Sequence, residues 1–174
     1  MKKKVFGKVW DSNRSDMKVY TSNSSDLPFL RDMLCIAAYW DHSEVMNTDV
    51  YLEREDLRFL LDEWGKRKGD LGLILQDDSG QNLGAVWYRF WWESFHSYGF
   101  ISEKIPELVI GLKPGSRGKG YGEILIRKLI EKSSSQGIHS ISLSVARGNY
   151  AIRLYQKLGF RVYRENELDY IMIY

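Results

Sequence analysis

A glycine-rich, basic stretch, KPGSRGKGYGEIL at residues 113–125, constrains the fold of this chain more than any other segment. It contains four glycines and three cations, Lys113, Arg117 and Lys119, directly before an apolar helix pattern. Glycine loses more conformational freedom on folding than any other residue, so this many glycines in an ordered segment need a physical reason. The sequence therefore predicts a segment whose bare backbone performs a task.

The start of a helix supplies such a task. A strand pattern, PELVIGLKP, ends at Pro114, and a helix pattern begins near Gly120. The first N–H groups of a helix have no intrahelical partner and lie at the positive end of its dipole. Glycines at positions 118, 120 and 122 would leave these N–H groups accessible, and the neighbouring cations add positive charge. The stretch predicts a phosphate or pyrophosphate cradle, with a flexible basic surface turn as the alternative.

Two well-known phosphate loops do not match the stretch. The Walker pattern requires a serine or threonine after its lysine, whereas Lys119 is followed by Gly120, so the magnesium-binding hydroxyl is absent. The dinucleotide pattern G-x-G-x-x-G also fails, because the glycines lie at 118, 120 and 122 and no βαβ pattern surrounds them.

Composition narrows the class of protein. A chain of 174 residues, 44% hydrophobic, predicts one domain with a sizeable core. A net charge of +2 creates no overall field that would attract nucleic acid or an anionic membrane. The single cysteine, Cys35, excludes an intrachain disulfide and suits a reducing compartment. The N-terminal MKKKVFGKVW is interrupted by Lys8 and does not match a signal peptide, and no apolar run reaches about 18 residues. We expect a soluble, cytoplasmic protein.

Hydrophobic periodicity predicts a mixed α/β domain over residues 17–174, preceded by an extension at residues 1–16. No internal repeat interrupts the domain. The predicted elements are, in order, a strand (MKVYT), a helix (LPFLRDMLCIAAYW), a second helix (YLEREDLRFLLDEWGKR), a hairpin turning at DDSG, a central strand (PELVIGLKP), a helix from Gly120 to Gly137, a strand (IHSISLSV), a short helix (YAIRLYQKLGF) and two closing strands.

Two motifs in register carry a family resemblance. RGKGYGEILIRKLI fits the signature Q/R-x-x-G-x-G/A of the GNAT superfamily of acyl-CoA-dependent N-acetyltransferases, with Arg117, Gly120 and Gly122 at its fixed positions. NYAIRLYQKLGF, one helix and one strand later, resembles the second signature of that superfamily. The resemblance covers residues 17–174. It implies a mixed α+β GNAT fold, with a mostly antiparallel twisted sheet of about seven strands flanked by four helices and splayed at the acyl-CoA site.

The resemblance also implies acetyl-CoA as the acyl donor, without a metal. The three histidines show no paired spacing, and no cluster of Cys, His and carboxylate suggests a metal site. The pantetheine arm would lie beside the central strand. The residues implied to bind acetyl-CoA are Ile110, Gly111, Leu112, Arg117, Gly118, Lys119, Gly120, Tyr121, Gly122, Glu123, Asn149 and Tyr155.

Two departures from the family pattern carry expectations of their own. Asn149 precedes Tyr155 by six residues, whereas many members have seven. Gly111 occupies a position where a side chain is more usual, which predicts a loosened or bulged cofactor strand.

Acetyl transfer to an amine requires two proton movements. An amine of pKa ~10 is neutral in only about one molecule in a thousand at pH 7, so a base should accept its proton. Glu107, at the start of the central strand, is the candidate base, acting through a water; Glu103, Glu93 and the Tyr98 hydroxyl are alternatives. The resemblance places Tyr155 as the acid for the CoA thiolate. The structural alternatives are a solvated carboxylate at a strand end and a half-buried, packed tyrosine.

The amine site is expected among the first two helices and the loop before the central strand. Trp40, Trp87 and Tyr98 are the candidate contacts, because aromatic rings bind cationic amines, with Asp41 or Glu93 as counter-charge. His96, in the same loop, is a weaker candidate. The alternative is that rings on the predicted hairpin fill its core, which must hold for alternate residues.

Two function classes remain open on the sequence. The first is an N-acetyltransferase that moves acetyl from acetyl-CoA to a primary amine by direct attack. The second is a non-catalytic acyl-CoA-binding GNAT module that acts as a sensor or interaction protein. In either class the expected partner is acetyl-CoA, joined in the first by a small-molecule, peptide or protein amine. Nucleic acid and membrane are not expected, and a homodimer is compatible with the sequence.

Overall fold

The computed structural model of the protein describes residues 17–41 and 55–174. The expected extension at residues 1–16 lies outside the described residues. The strands form one seven-stranded sheet in the order β1-β2-β3-β4-β5-β7-β6, in which only β4 and β5 are parallel neighbours. The strands are β1 Lys18–Thr21, β2 Leu71–Gln76, β3 Asn82–Arg89, β4 Glu107–Leu112, β5 Ser142–Ala146, β6 Arg161–Glu165 and β7 Asp169–Ile173. The mixed, mostly antiparallel class predicted from the sequence is confirmed.

Helices cover both faces of this sheet. The α-helices of the described residues are α1 Leu27–Ala38, α2 Glu55–Arg58, α3 Tyr121–Ser135 and α4 Ala151–Lys157. One core cluster, which we call the α3 core, joins α3 and α4 to the sheet through Leu125, Leu129 and Tyr155. A second cluster, which we call the α1 core, includes Leu30 and Trp87 and joins α1 and the segment after α2 to the opposite face. None of the described helices is long and apolar enough to cross a membrane.

The predicted second helix is shorter than expected. In place of a continuous helix over residues 51–67, the described part is helical at Glu55–Arg58 and continues as turns. The turns use i to i+3 hydrogen bonds, such as the 3.1 Å bond from the Leu60 N–H to the Leu57 carbonyl, and Glu63 and Gly65 adopt positive φ. The predicted apolar face is nevertheless buried, because Leu57, Leu60, Leu61 and Trp64 all enter the core.

Gly111 does not bulge the central strand, so that expectation is wrong. The pairing of β3 with β4 runs in unbroken register through Ala85 and Gly111. A Cβ atom at Gly111 would collide with the carbonyl oxygen of Met33 in α1. Gly111 therefore lets the backbone of α1 approach β4 closely, and this contact fixes the helix over the strand.

Strands β4 and β5 separate just after they meet. Their register contains the single pair Glu107 and Ser142, and the two strands then diverge toward their carboxyl ends. The splayed sheet implied by the family resemblance is thus present, and it leaves a gap beside the second half of β4.

Candidate active site

A cleft of about 760 Å³ occupies the gap between β4 and β5 and continues on both sides of it. We call the part formed by residues 117–123 the loop end. We call the part formed by Trp40, Ser97, Tyr98, Glu107, Ser144 and Asp169 the α1 face of the cleft. Every residue named in these two parts except Lys119 lines the cleft. One cavity therefore connects the predicted phosphate loop to the predicted base.

Two glycines of the loop end adopt a backbone conformation that few other residues adopt. Gly118 and Gly120 adopt φ angles of 73° and 81°, in the left-handed region that favours glycine. Gly120 is the N-cap of α3, and no side chain caps the N–H groups of the first turn. Arg117 lines the cleft, whereas Lys119 is exposed and does not. The start of α3 thus presents its N–H groups to the cleft, as an anion cradle requires.

Gly122 has a packing role in addition to the role predicted for it. Gly122 is buried, and a Cβ atom there would lie 3.1 Å from the side chain of Leu154 and 3.6 Å from that of Leu112. Its missing side chain lets α3, α4 and β4 pack together, and Gly122 also lines the cleft at the first turn of α3.

The Glu123 carboxylate ties α3 to α4 and does not face an anion as a ligand. It accepts hydrogen bonds from the Lys157 ammonium and, at 2.9 Å, from the Arg127 guanidinium. These two partners, Lys157 first, lower the pKa of Glu123. Only the backbone of Glu123 can therefore contribute to the cradle.

The backbone of β4 faces the gap at the predicted residues. The Lys113 N–H donates to the Leu83 carbonyl at 3.0 Å, so the backbone N–H of Lys113 points toward β3. Because backbone groups alternate in direction along a strand, the N–H and C=O groups of Ile110 and Leu112 point the other way, into the gap. The side chains of Ile110 and Leu112 pack against the α3 core. Main chain and side chain thus have separate tasks at these two positions.

Glu107 is a buried carboxyl group in the wall of the cleft. It is 6% exposed, and its Oε1 accepts a 2.8 Å hydrogen bond from the Gly99 N–H. Its Oε2 is buried and has no hydrogen-bond partner among the described residues. Burial raises the pKa of Glu107 to about 7, although the Gly99 N–H favours the ionised form. The carboxyl group can therefore gain or lose a proton near neutral pH, which a general base requires.

The alternative bases occupy less suitable places. Glu93 and Glu103 are exposed, and they lie outside the cleft lining, where Glu103 Oε1 accepts a hydrogen bond from the Glu93 N–H at 3.1 Å. Tyr98 lines the cleft and is 58% exposed. His96 stacks on Phe100 with ring centroids 4.3 Å apart and does not line the cleft.

Tyr155 lines the opposite wall of the gap, on the face of α4 that belongs to the α3 core. It is 7% exposed, and burial raises the pKa of its hydroxyl. The hydroxyl group therefore stays protonated at neutral pH and can act as a donor. Asn149 also lines the cleft, and its side-chain oxygen accepts a 2.8 Å hydrogen bond from the Ala151 N–H. This bond from residue 151 back to residue 149 forms a local turn directly before α4, whose N-cap is Tyr150.

Of the three predicted substrate residues, two line the cleft and one is buried in the core. Trp40 and Tyr98 line the cleft, and Trp40 makes an edge contact with Tyr150 at 6.2 Å between ring centroids. Trp87 is 1% exposed and packs against Trp64 in the α1 core, so its placement as a substrate contact is wrong. Asp41 does not line the cleft.

The sequence interpretation missed polar residues that the sheet register brings to the cleft. Ser144 Oγ donates to Asp169 Oδ2 at 2.9 Å, and both residues line the cleft, together with Ser97. No motif contains these residues, and their juxtaposition depends on the pairing of β5 with β7. Within residues 17–41 and 55–174, no three His, Cys, Asp or Glu side chains are grouped to hold a metal ion.

Comparisons with known proteins agree with this geometry. The model of the acetyltransferase (GNAT) family matches residues 33–160. Mycothiol acetyltransferase of Renibacterium salmoninarum is 33% identical over 127 residues, which cover 71% of this chain and 34% of that protein. L-methionine sulfoximine/L-methionine sulfone acetyltransferase of Pseudomonas aeruginosa is 32% identical over 99 residues, 55% of this chain and 54% of that protein. The chain thus spans about a third to a half of the length of these curated relatives.

A solved structure shares the fold across nearly the whole chain. PaiA N-acetyltransferase from Thermoplasma acidophilum, in complex with coenzyme A, superposes with a TM-score of 0.67 at 22% sequence identity. The match covers 90% of this chain and 97% of the solved one. The seven-stranded sheet and its splayed strands therefore belong to a known fold.

Proposed function

The chain belongs to the acetyltransferase (GNAT) family, and from that premise we propose that it transfers the acetyl group of acetyl-CoA to a primary amine. The observation that carries the proposal is Glu107, a buried carboxyl group with a pKa of about 7 in the same cleft as the phosphate cradle. A binding module needs the cradle, but it has no use for a buried base, which is costly to keep.

Acetyl-CoA fits the residues of the loop end and the gap. The uncapped N–H groups at the start of α3, with Gly118 and Gly120 in left-handed conformation, would hold its pyrophosphate. Arg117 adds a charge at the mouth of the cradle. The backbone groups of Ile110 and Leu112 that face the gap would pair with the amides of the pantetheine arm. This arrangement would direct the thioester toward Glu107 and Tyr155.

Glu107 supplies the base in this mechanism. The amine nitrogen forms a bond to the acetyl carbonyl carbon, and its proton passes to Glu107 directly or through one water. Oε1 holds the Gly99 N–H and Oε2 has almost no accessible surface, so Oε2 can accept the proton only when the loop at residues 96–100 admits the amine or a water. The base is half ionised near pH 7, where it meets the protonated amine that predominates in solution.

Tyr155 supplies the donor for the leaving group. As the C–S bond breaks, its electron pair moves to sulfur, and the Tyr155 hydroxyl donates its hydrogen there. A phenol buried among apolar side chains is a weaker acid than a thiol, so its contribution is a strong hydrogen bond to the developing thiolate. We therefore expect a useful but not essential acid.

The proposal is tested by the release of free thiol from acetyl-CoA in the presence of a panel of primary amines, with the acetylated product identified by mass spectrometry. We expect thiol release that depends on both the protein and the amine. Binding of acetyl-CoA without thiol release from any amine would contradict the proposal and favour the non-catalytic binding module. Glu107→Gln, which is nearly isosteric, is the matched variant, and it should bind acetyl-CoA normally while losing turnover at pH 7.

A further inference from the structure

The α1 face of the cleft carries two carboxylates and, among the described residues, no lysine or arginine. Glu107 and Asp169 both line it, whereas the cleft's described basic residue, Arg117, belongs to the loop end. Glu107 is buried, with a carboxylate oxygen that has no partner among the described residues. The charged groups of the described cleft lining therefore give the α1 face a negative character, which favours a cationic ligand.

The sheet places both carboxylates on the same face. Leu143 and Val145 of β5 belong to the α3 core, so Ser144 points to the α1 side. Met172 of β7 also belongs to the α3 core, and Asp169, three residues earlier, points to the α1 side together with Ser144, to which it is hydrogen bonded. On β4, Glu107 lies two residues before Val109, so both side chains point to the same face of the sheet. Val109 packs against the α1 core, which places Glu107 on the α1 side.

Asp169 is held in place by neutral donors. Its Oδ2 accepts from Ser144 Oγ at 2.9 Å, and its Oδ1 accepts from Asn166 Nδ2 at 2.7 Å. No lysine or arginine of the described residues forms a salt bridge with it. Arg147, in the turn after β5, bonds to the Asn166 carbonyl and to Glu165 and lies outside the cleft lining. Each carboxylate oxygen of Asp169 thus keeps a lone pair for a further donor.

We propose that the amine acceptor carries a second cationic group, which Asp169 binds while the reacting amine lies at Glu107. This inference rests on the proposed acetyl transfer and narrows its substrate class. Two carboxylates that form no salt bridge among the described residues attract positive charge and repel an acceptor that carries its own carboxylate. The rings of Trp40, Tyr98 and Tyr150 at the rim add favourable contacts for a cation.

The separation of the two carboxylates sets the length of the acceptor. Glu107 pairs with Ser142, and Asp169 pairs with Ala146, four residues farther along β5. At about 3.3 Å per residue, this is about 13 Å along the strand, and β4 and β7 lie on opposite sides of β5, about 10 Å apart, so the two backbone positions are about 16 Å apart. The two cationic groups of the acceptor should therefore be several carbons apart rather than adjacent.

Three probes of equal chain length test this inference: hexamethylenediamine, hexylamine and ε-aminocaproate. They present an ammonium, a methyl and a carboxylate group, respectively, at the end opposite the reacting amine. We expect kcat/KM, measured by thiol release, to be at least tenfold higher for hexamethylenediamine than for hexylamine, and lowest for ε-aminocaproate. Hexylamine or ε-aminocaproate acting as well as the diamine would overturn the inference and leave the acetyl transfer standing. No turnover with all three, in a protein that acetylates another amine of the panel, would also overturn the inference, whereas no turnover with any amine would contradict the proposed function itself.

Variants locate the effect at Asp169. Asp169→Asn should lower kcat/KM for hexamethylenediamine about tenfold, mainly through KM, and change it less than twofold for hexylamine. The matched control is Glu165→Gln, which removes the same charge from the same hairpin but outside the cleft lining, and the ratio between the two probes should not change. An equal loss for both probes in Asp169→Asn would assign the residue a structural role and refute the inference. If the variant fails to fold, the ranking of the three probes by the unchanged protein decides.

Discussion

Glu107→Gln should make the protein more stable at alkaline pH. The Glu107 carboxyl has a pKa of about 7 in the folded protein, against an ordinary value of 4.5. Since the folded state holds the proton more tightly than the unfolded state, ionisation of Glu107 costs stability. The cost is absent below pH 4.5, grows between pH 4.5 and 7, and is complete above pH 7. Glutamine keeps the acceptor for the Gly99 N–H and removes the charge.

The magnitude follows from the size of the pKa shift. One unit corresponds to about 1.4 kcal/mol, so a shift from 4.5 to about 7 corresponds to about 3 kcal/mol at pH 8. At pH 5 the same linkage leaves less than about 1 kcal/mol. The free-energy difference between Glu107→Gln and the parent should therefore rise by about 2 kcal/mol from pH 5 to pH 8.

Urea unfolding of both proteins at pH 5 and pH 8 measures this difference. Glu103→Gln is the matched control, because Glu103 is an exposed carboxylate four residues before Glu107. Its replacement should change the free energy of unfolding by less than about 0.5 kcal/mol at either pH. A Glu107→Gln variant whose advantage is the same at both pH values would refute the buried, high-pKa description of Glu107. A destabilised variant at pH 8 would do so more strongly.

Other parts of the cleft support predictions of their own. Tyr155→Phe should lower kcat by roughly 100-fold or less while the Kd of acetyl-CoA, measured by calorimetry, stays the same; unchanged turnover would make Tyr155 a wall of the gap only. Gly120→Val should abolish acetyl-CoA binding, because valine blocks the cradle and strains a φ of 81° by about 1–2 kcal/mol; circular dichroism must show a folded variant, and retained affinity would refute the cradle. Arg117→Ala should weaken binding modestly, and the loss should shrink as salt rises. Gly111→Ala should lower the melting temperature by several degrees, because its Cβ would meet the Met33 carbonyl; an unchanged melting temperature would contradict the close approach of α1.

The sequence predicted the features that depend on local chemistry. The glycines of the loop end predicted the start of α3 near Gly120. The structure adds that Gly118 and Gly120 adopt left-handed φ angles, which few other residues adopt. The apolar spacing after residue 55 predicted which side chains enter the core, although the backbone there forms turns rather than a helix. Local patterns fix which face is buried more firmly than they fix the hydrogen-bond ladder.

Features that depend on contacts between residues far apart in the sequence could not be predicted from local sequence patterns. The burial of Glu107 requires the loop at residues 96–100 to fold over the strand, and Gly99 allows this because its absent side chain would meet Ser144 and the carboxyl itself. Trp87 was misplaced because the alternation of β3 leaves open which face meets α1. Asp169 was missed because it joins the cleft only through the register of β7 with β5.

The role of Glu107 as the base is tested most directly by the pH dependence of kcat/KM for Glu107→Gln beside the parent, with the best amine from the panel. The parent should rise to a plateau above pH 7, as Glu107 ionises. The variant depends on the amine that is already neutral, so its kcat/KM should keep rising toward pH 10, and the ratio of parent to variant should fall roughly 50-fold between pH 7 and pH 9. Profiles that run parallel over this range would show that Glu107 does not accept the proton.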